Sequence, residues 1–567
     1  MSSSKGPREF CWSREQMSTV HKGKVYLTGG FITESTTRAG PPDSLFGNPD
    51  IIVYDFSKSS SDIPAVTKIP YPITDIPVLK WGSFWSLGDD TDKLLLSQGE
   101  LQFYHPGTSE DHLKYPKDAA RVQPDGRSFE YDISSNTWKT STTRTKEGVK
   151  LNSAARVSTT FSKSGKGFAL GGRMAQGSYM DSNSQVRTSN PGMVLSQFSS
   201  MLIYDSKQNG GTWTNQTTEL DTNESGTLNV VEGVGKEGLL VFLGGNTGDE
   251  TQWRSLRTIQ VYDIEAGRWY QQDTTATSGF YPPERIHHCT VAASSPDGSS
   301  HNIYMYGGWA STKNTLSDVW VLSLPAFHWT RLSTTGGDGV PRMDMACEAV
   351  GRDNRYMFVF GGDPGLGPAQ KCDKDTKPGQ LLDLTTGQWG RRFDVEKRYE
   401  VPDAVYASIG GDSTGGATMK EPREGFVDPA LKALFVQKQT SPGKSSSGGP
   451  EEVEDTGSTT GKKSKGLPTS GIVGVVVGVI AVLLLLGLVA FLIRRRKKKA
   501  RYSYEGPISE SQGHVVGELE GTEQSEAKRY NTTYYTGAPA APTELPVYGS
   551  ERVELPTSER RTLSIGR

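Results

Sequence analysis

The sequence has few of the residues that build disulfide frameworks and metal sites. Its 567 residues contain four cysteines, Cys11, Cys289, Cys347 and Cys372, and none of them forms a Cys-x-x-Cys pair. Neither a disulfide scaffold nor a structural zinc site is indicated. The net charge is only −2, so the chain has no overall basic field for nucleic acid, and no cofactor is expected.

Motifs of common enzymes are also absent. The chain has no nucleophile elbow, no phosphate-binding loop and no HExxH sequence. Carboxylates occur mainly in turns such as residues 295–299, where they usually cap the backbone. Residues 1–20 have no apolar core of a signal peptide. We therefore expect a protein that is not an enzyme and whose gene begins upstream of the present first residue.

Glycine, by contrast, is abundant, with 65 of 567 residues, and it recurs in pairs. Short apolar runs end in a glycine pair at Gly29 and Gly30, Gly171 and Gly172, Gly244 and Gly245, Gly307 and Gly308, Gly361 and Gly362, and Gly410 and Gly411. A degenerate copy occupies residues 94–100. Each pair lets the chain turn where a side chain would collide or need positive φ.

A second apolar run follows most pairs, and a tryptophan follows that run after a short turn. The tryptophans are Trp138, Trp213, Trp269, Trp329 and Trp389. We predict a repeating unit of strand, glycine pair, loop, strand, tight turn and strand. The indole should fill the wedge between adjacent sheets, where its N–H needs a partner. One unit cannot bury its own face, so a ring of units is required.

This pattern resembles the kelch repeat over about residues 12–411. The resemblance implies an all-β fold, a kelch-like β-propeller, for which we predict six blades. Seven blades, as in the galactose-oxidase central domain, are the alternative. A last apolar run, residues 405–411, is expected to be a strand that completes the first blade. The whole chain resembles single-pass transmembrane kelch proteins of filamentous fungi.

A 23-residue apolar segment, residues 471–493, is long enough to cross a bilayer as a helix. Six basic residues, 494–499, follow it and predict that this end is cytoplasmic. The expected order is an N-terminal extension (1–11), an external propeller (12–436), a disordered stalk (437–470), the transmembrane helix and a disordered cytoplasmic tail (494–567). We expect the plasma membrane as its location.

Several residues are candidates for modification or association. Asn215 and Asn223 lie in glycosylation sequons. Gly474 and Gly478 have the GxxxG spacing that favours a homodimer in the membrane. Cys347 and Cys372 are predicted to form a disulfide, because the 25-residue passage between them can return to the strand where it began. Cys289 is expected to be an ordinary buried thiol.

The predicted function is binding of an unknown protein or glycan at the propeller loops, in a surface receptor or an adhesion or cell-wall role. One alternative is a membrane-held galactose-oxidase-like or carbohydrate-active enzyme. Copper ligation by His287 and His288 is disfavoured, since neighbours in a strand point to opposite faces. A second alternative is an intracellular scaffold with inverted topology.

Overall fold

We describe the fold from a computed structural model. It describes residues 9–35, 44–70, 72, 75–101, 127–141, 144–146, 155–175, 194–218, 220, 225–247, 252–312, 314–335, 339–365 and 379–436. The predicted stalk, transmembrane helix, dimerisation glycines and tail lie outside these residues. Of the helices within them, none is long and apolar enough to cross a membrane.

Six four-stranded antiparallel sheets follow one another along the chain, and we number them blades 1–6. The strands of blades 1–3 are Met17–His21, Lys24–Thr28, Asp50–Asp55 and Thr67–Pro70; Ser83–Ser86, Lys93–Ser97, Ser128–Asp132 and Thr137–Thr140; and Ala155–Phe161, Lys166–Ala175, Ser200–Asp205 and Thr212–Thr217. Those of blades 4–6 are Thr227–Val231, Leu239–Leu243, Thr258–Asp263 and Arg268–Asp273; Cys289–Ser294, His301–Tyr306, Val319–Leu324 and His328–Leu332; and Ala346–Val350, Tyr356–Phe360, Gly379–Asp383 and Gln388–Gly390.

The sequence of each strand fits its place in the blade. The first strand of blade 1, Met17–His21, alternates buried and half-buried side chains. The second strand of blade 4, Leu239–Leu243, reads LLVFL and is buried throughout. A second strand is covered on both faces by neighbouring blades, so a continuous apolar run is stable there.

The blades close into a ring. Each first strand contacts the first strand of the next blade, and the first strand of blade 6 contacts that of blade 1. The buried apolar residues form six clusters, one at each interface between neighbouring blades. The prediction of six blades is therefore confirmed.

Short additional strands border the blades. A separate three-stranded sheet consists of Glu9–Arg14, Phe31–Ser35 and Ser44–Gly47. Two two-stranded sheets pair Leu79–Lys80 with Glu100–Leu101 and Arg285–Ile286 with Trp309–Ala310. Three short strands join blade sheets: Arg144–Thr145, Val194–Gln197 and Thr275–Ala276. A 3₁₀ turn covers Thr277–Gly279.

The prediction of a final strand at residues 405–411 is wrong, because this segment belongs to helix α1 (Asp403–Ile409) and its end. Val405 and Ile409 are buried four positions apart, which is helical spacing, and pack in the core between blades 5 and 6. Gly410 ends the helix, with its N–H bonded to the Tyr406 carbonyl. Blade 1 needs no strand from this segment, since residues 17–70 supply all four.

Helix α2 (Pro429–Val436) continues the chain beyond α1. Its Leu431 is fully buried in the cluster between blades 4 and 5, and Gly235 donates a backbone hydrogen bond to the Leu434 carbonyl. The segment after blade 6 therefore packs back along the ring towards blade 4.

Candidate functional site

The glycine pairs lie at one end of the ring and connect neighbouring blades. All ten glycines of the five pairs between Gly29 and Gly362 have positive φ. A Cβ on Gly29 would stand 2.0 Å from the Leu79 carbonyl oxygen. The N–H groups of Gly30 and Gly362 donate to Leu79 at 2.8 Å and to Ser13 at 2.6 Å, in the segments that lead into blades 2 and 1. The Gly362 contact closes the ring between blades 6 and 1.

The tryptophans lie on the fourth strands, and most pack against a tyrosine with the two rings tilted. Ring centroids are 4.9–5.0 Å apart in the pairs Tyr131 with Trp138, Tyr204 with Trp213, Tyr262 with Trp269, and Tyr306 with Trp389. The Trp329 indole N–H donates to the Leu256 carbonyl at 2.9 Å. The indole N–H groups of Trp213, Trp269 and Trp389 have no acceptor among the described residues. The expectation that each indole N–H has a partner is therefore met only in part.

The predicted disulfide between Cys347 and Cys372 is wrong. Cys347 is bonded to Cys289, with 5.8 Å between their Cα atoms. Each is at the start of a first strand, in blades 6 and 5, and adjacent first strands bring these positions together. Cys372 lies outside the described residues. Asn215 is exposed on the fourth strand of blade 3, and Asn223 is not described.

The first strands surround a channel of about 730 Å³ along the ring axis. At its entrance, which we call the mouth, backbone hydrogen bonds connect the residues just before the first strands. Asp344 N–H donates to the His287 carbonyl, His287 to Ser225, and Glu15 to Asp344, at 2.8–3.0 Å. The backbone N–H of Arg156 likewise donates to the Trp81 carbonyl at 3.1 Å. The mouth is therefore a partly continuous ring of backbone contacts between blades.

Five non-glycine residues at the mouth have left-handed backbone conformations. They are Glu15, Trp81, Ser225, His287 and Asp344, with φ between 51° and 62°. Such values are uncommon for residues with a Cβ, and they cluster at functional sites. The ring of contacts holds each of these side chains at a comparable position around the channel axis.

Ionic pairs occupy one side of the mouth. His287 Nδ1 lies 2.6 Å from Asp344 Oδ1. Burial alone lowers the pKa of His287, but the Asp344 carboxylate outweighs it and raises the pKa above its ordinary value. Burial would raise the pKa of Asp344, yet His287 holds it below its ordinary value. Both effects favour an imidazolium–carboxylate pair.

A second charged group lies beside this pair. Lys80 Nζ is 3.4 Å from Glu15 and 3.6 Å from Glu100, and it also stands 3.8 Å over the Trp81 ring. Burial raises the pKa of Glu15 in spite of Lys80 and Arg14. The Trp81 and His287 rings, from opposite blades 2 and 5, approach to 6.4 Å between centroids. Aromatic and charged side chains therefore meet above the channel axis.

On blade 3 the mouth carries Arg156, which is 7% exposed. Its Nη1 donates to the Gly171 carbonyl at 2.6 Å, and its Cζ lies 4.6 Å from the Phe198 ring centroid. Burial lowers the pKa of Arg156 to about 10. No described carboxylate pairs with it.

Inside the channel wall, Glu348 of blade 6 accepts a hydrogen bond from Ser18 of blade 1 at 2.7 Å. Burial raises the pKa of Glu348 to about 7, against the lowering effect of Ser18. Cys289 and Cys347 also line the channel.

His287 and His288 have different partners, but not for the reason expected, because neither lies in a strand and His287 has a left-handed backbone conformation. His287 bonds to Asp344, whereas His288 Nε2 lies 3.1 Å from Thr227 Oγ1. Burial lowers the pKa of His288 to about 3, so it is neutral. Among the residues that the structure describes, no group of three or more His, Cys, Asp or Glu side chains could hold a metal ion.

The sequence interpretation missed the mouth residues Glu15, Trp81, Arg156 and Asp344, and it treated His287 as structural. Four of the five left-handed residues are polar, and each stands two residues before the first strand of its blade. The sequence carries no fixed spacing that marks them, because their distance to the following glycine pair varies between 14 and 20 residues.

The family model that matches the chain is the KLHDC2/KLHL20/DRC7 Kelch-repeats domain, over residues 227–404. These residues cover blades 4–6 and part of α1. The chain carries kelch repeats in a six-bladed propeller. A kelch repeat-containing protein of Arthroderma benhamiae is 27% identical over 551 residues, covering 86% of this chain and 76% of the relative.

Other similarities of this kelch-repeat chain are more limited. Human Host cell factor 1 is 28% identical over 147 residues, which cover 24% of this chain and 7% of the relative. The solved structure of YjhT shares 12% identity with a TM-score of 0.42, covering 68% of this chain and 99% of that one. The kelch propeller is a type of domain that mediates protein interactions, and the match to this domain type covers blades 4–6 of the chain.

Proposed function

We propose that this kelch-repeat protein is a membrane-anchored binding protein whose channel mouth contacts its partner. The observation that carries the proposal is the set of left-handed, polar or aromatic residues around the mouth. Backbone strain of this kind persists only where the surrounding structure enforces it, and it is common at ligand sites. Aromatic and charged groups at the rim of a cavity are suited to recognition.

Binding is favoured over catalysis by how the charges at the mouth are used. His287 is engaged with Asp344, and Lys80 lies between two carboxylates. Charges already neutralised by partners are suited to fixing the shape of a surface. The alternative of a galactose-oxidase-like enzyme predicts stoichiometric copper in the purified protein, and metal analysis would detect it.

The disulfide supports a propeller outside the cell. Disulfides persist in oxidising compartments and are rare in the cytosol. Together with the basic cluster at 494–499, the Cys289–Cys347 bond favours an external propeller and a cytoplasmic tail. A cell-surface receptor or adhesion role follows from that topology. The alternative of an intracellular scaffold predicts free thiols at both positions.

Topology is tested by adding protease to intact cells that express the full chain with an epitope in the tail. We expect loss of the propeller and retention of the tail epitope. A protected propeller would overturn the external location and favour the scaffold.

Binding at the mouth is tested with a photo-crosslinking amino acid placed at Trp81. The matched control places it at Lys236, which is exposed in the turn after the first strand of blade 4, at the opposite end of the ring. We expect a defined adduct from position 81 on intact cells and none from position 236. The same adduct at both positions, or none at either, would contradict binding at the mouth. A glycan array probed with the same protein would show whether the partner is a carbohydrate.

A further inference from the structure

The arginine near the glycine pair of blade 5 has a complete set of partners. Arg285 Nη1 donates to the carbonyl of Gly307 at 3.0 Å, and its Nε donates to Pro283 at 3.1 Å. Asp318 accepts from Nη1 at 2.7 Å and from Nη2 at 3.0 Å, which is a two-pronged ion pair. A fully buried guanidinium is stable there because a carboxylate neutralises it.

Arg156 makes a similar contact in blade 3, although the strand register aligns it with His287 and His288 and not with Arg285, and no described carboxylate pairs with it. Its Nη1 donates to the carbonyl of Gly171, which is also the first glycine of its pair. Its Nε is buried and has no acceptor among the described residues, and its Nη2 donates to none of them. Among the described residues, the edge of the guanidinium that carries Nε and Nη2 therefore has no partner, although the side chain is only 7% exposed.

The strand register explains the missing partner. In blade 5, Tyr306 pairs with Val319, so Asp318 stands one residue before the start of that pairing. In blade 3, Leu170 pairs with Met201 in the same way, and the residue before Met201 is Ser200. A half-buried serine thus occupies the position where blade 5 has its neutralising carboxylate.

We propose that Arg156 binds a carboxylate of the ligand, which takes the place that Asp318 holds beside Arg285. A buried charge without a counter-ion is unfavourable, and Arg156 lines the channel where a ligand can enter. The Nε–Nη2 edge matches the two oxygens of a carboxylate. Glu15, Asp344 and Glu348 also line the channel, which favours a singly charged carboxylate over phosphate. This inference rests on the proposed function, since it defines the ligand at the same mouth.

Anion binding is tested by thermal melting of the full-length protein. N-acetylaspartate amide represents an acidic protein side chain, glucuronate an acidic glycan, and inorganic phosphate the competing oxyanion, each compared with sodium chloride at equal ionic strength. We expect a saturable rise in melting temperature with at least one of the two carboxylates, because a ligand that binds the native state stabilises it. The carboxylate that gives the larger rise indicates the kind of partner.

Three variants locate the effect. Arg156→Gln should abolish the carboxylate-dependent rise. Ser200→Asp should supply the missing carboxylate from within, so it should raise the melting temperature without ligand and remove the response. Arg268→Gln is the charge-matched control and should respond as the wild type, because Arg268 pairs with Asp428 on the outer strand of blade 4.

Four outcomes would overturn the inference: no rise with either carboxylate, a full response in Arg156→Gln, an unchanged response in Ser200→Asp, or a larger rise with phosphate than with either carboxylate. Should Arg156→Gln fail to fold, Ser200→Asp decides, since it keeps the arginine. The crosslinking result is independent: an adduct at position 81 without any carboxylate response refutes this inference alone, and a carboxylate response without an adduct refutes the proposed function.

Discussion

Replacing Trp329 by alanine tests whether the blades are held together by their interface residues. Trp329 has no exposed surface, lies in the cluster between blades 4 and 5, and donates its indole N–H to the Leu256 carbonyl. Loss of a buried tryptophan typically costs about 3–5 kcal/mol. We expect the upper part of that range, because the variant also leaves the Leu256 carbonyl without its donor.

The assay is urea unfolding of the full-length protein followed by tryptophan fluorescence. A loss of 3–5 kcal/mol lowers the unfolding midpoint by about 1–2 M if the urea dependence is near 3 kcal/mol per M. Trp329→Phe keeps a six-membered aromatic ring but removes the hydrogen bond and part of the indole volume, so its loss should be smaller than that of the alanine variant. We expect this variant to lose about 1–3 kcal/mol.

Trp269→Ala is the matched control at the equivalent position of blade 4. This indole is only half-buried, and its N–H has no acceptor among the residues described. We therefore expect a loss of about 1–2 kcal/mol. Equal losses for the two alanine variants would refute the argument that burial and the indole hydrogen bond determine the energetic role of each tryptophan.

Two further predictions concern the channel wall. Non-reducing peptide mapping should recover Cys289 linked to Cys347, and free thiols at both positions would contradict the bond. Cys347→Ser should lower the free energy of unfolding by about 4 kcal/mol, as expected for a 58-residue separation. Glu348 has a folded-state pKa of about 7, above its unfolded value, so its contribution is present below about pH 4.5 and is lost as the pH rises through 7. Glu348→Gln should therefore flatten the fall in stability between pH 5 and pH 8, and parallel wild-type and variant curves would contradict the raised pKa.

Much of the blade architecture could be predicted because it depends on local sequence patterns. The second strands are continuous apolar runs, since both of their faces are covered. The pairs Gly29–Gly30 and Gly361–Gly362 stand where φ is positive, and the Tyr–Trp spacing corresponds to cross-strand partners such as Tyr131 and Trp138. A series of similar units also requires a ring, because one unit cannot cover its own face.

The run at residues 405–411 shows where a local pattern misleads. It combines an apolar segment with a glycine pair, as the strands do, but Val405 and Ile409 are spaced for one face of a helix. The fold of this segment depends on the surface that blades 5 and 6 offer it. Blade 1 already has four strands from residues 17–70, so it needs no strand from this segment.

The sequence by itself determined the number of blades, the glycine turns and the aromatic positions, because these follow from short-range spacing that repeats along the chain. Only the tertiary structure decided which residues from distant blades meet. Cys347 bonds to Cys289 and not to Cys372, Asp344 pairs with His287, and Arg156 is buried with no carboxylate beside it in the part of the chain that the structure describes. These contacts depend on ring closure, which brings the starts of six first strands together around one axis. Sequence separation carries no information about that proximity, whereas the geometry of the ring fixes it.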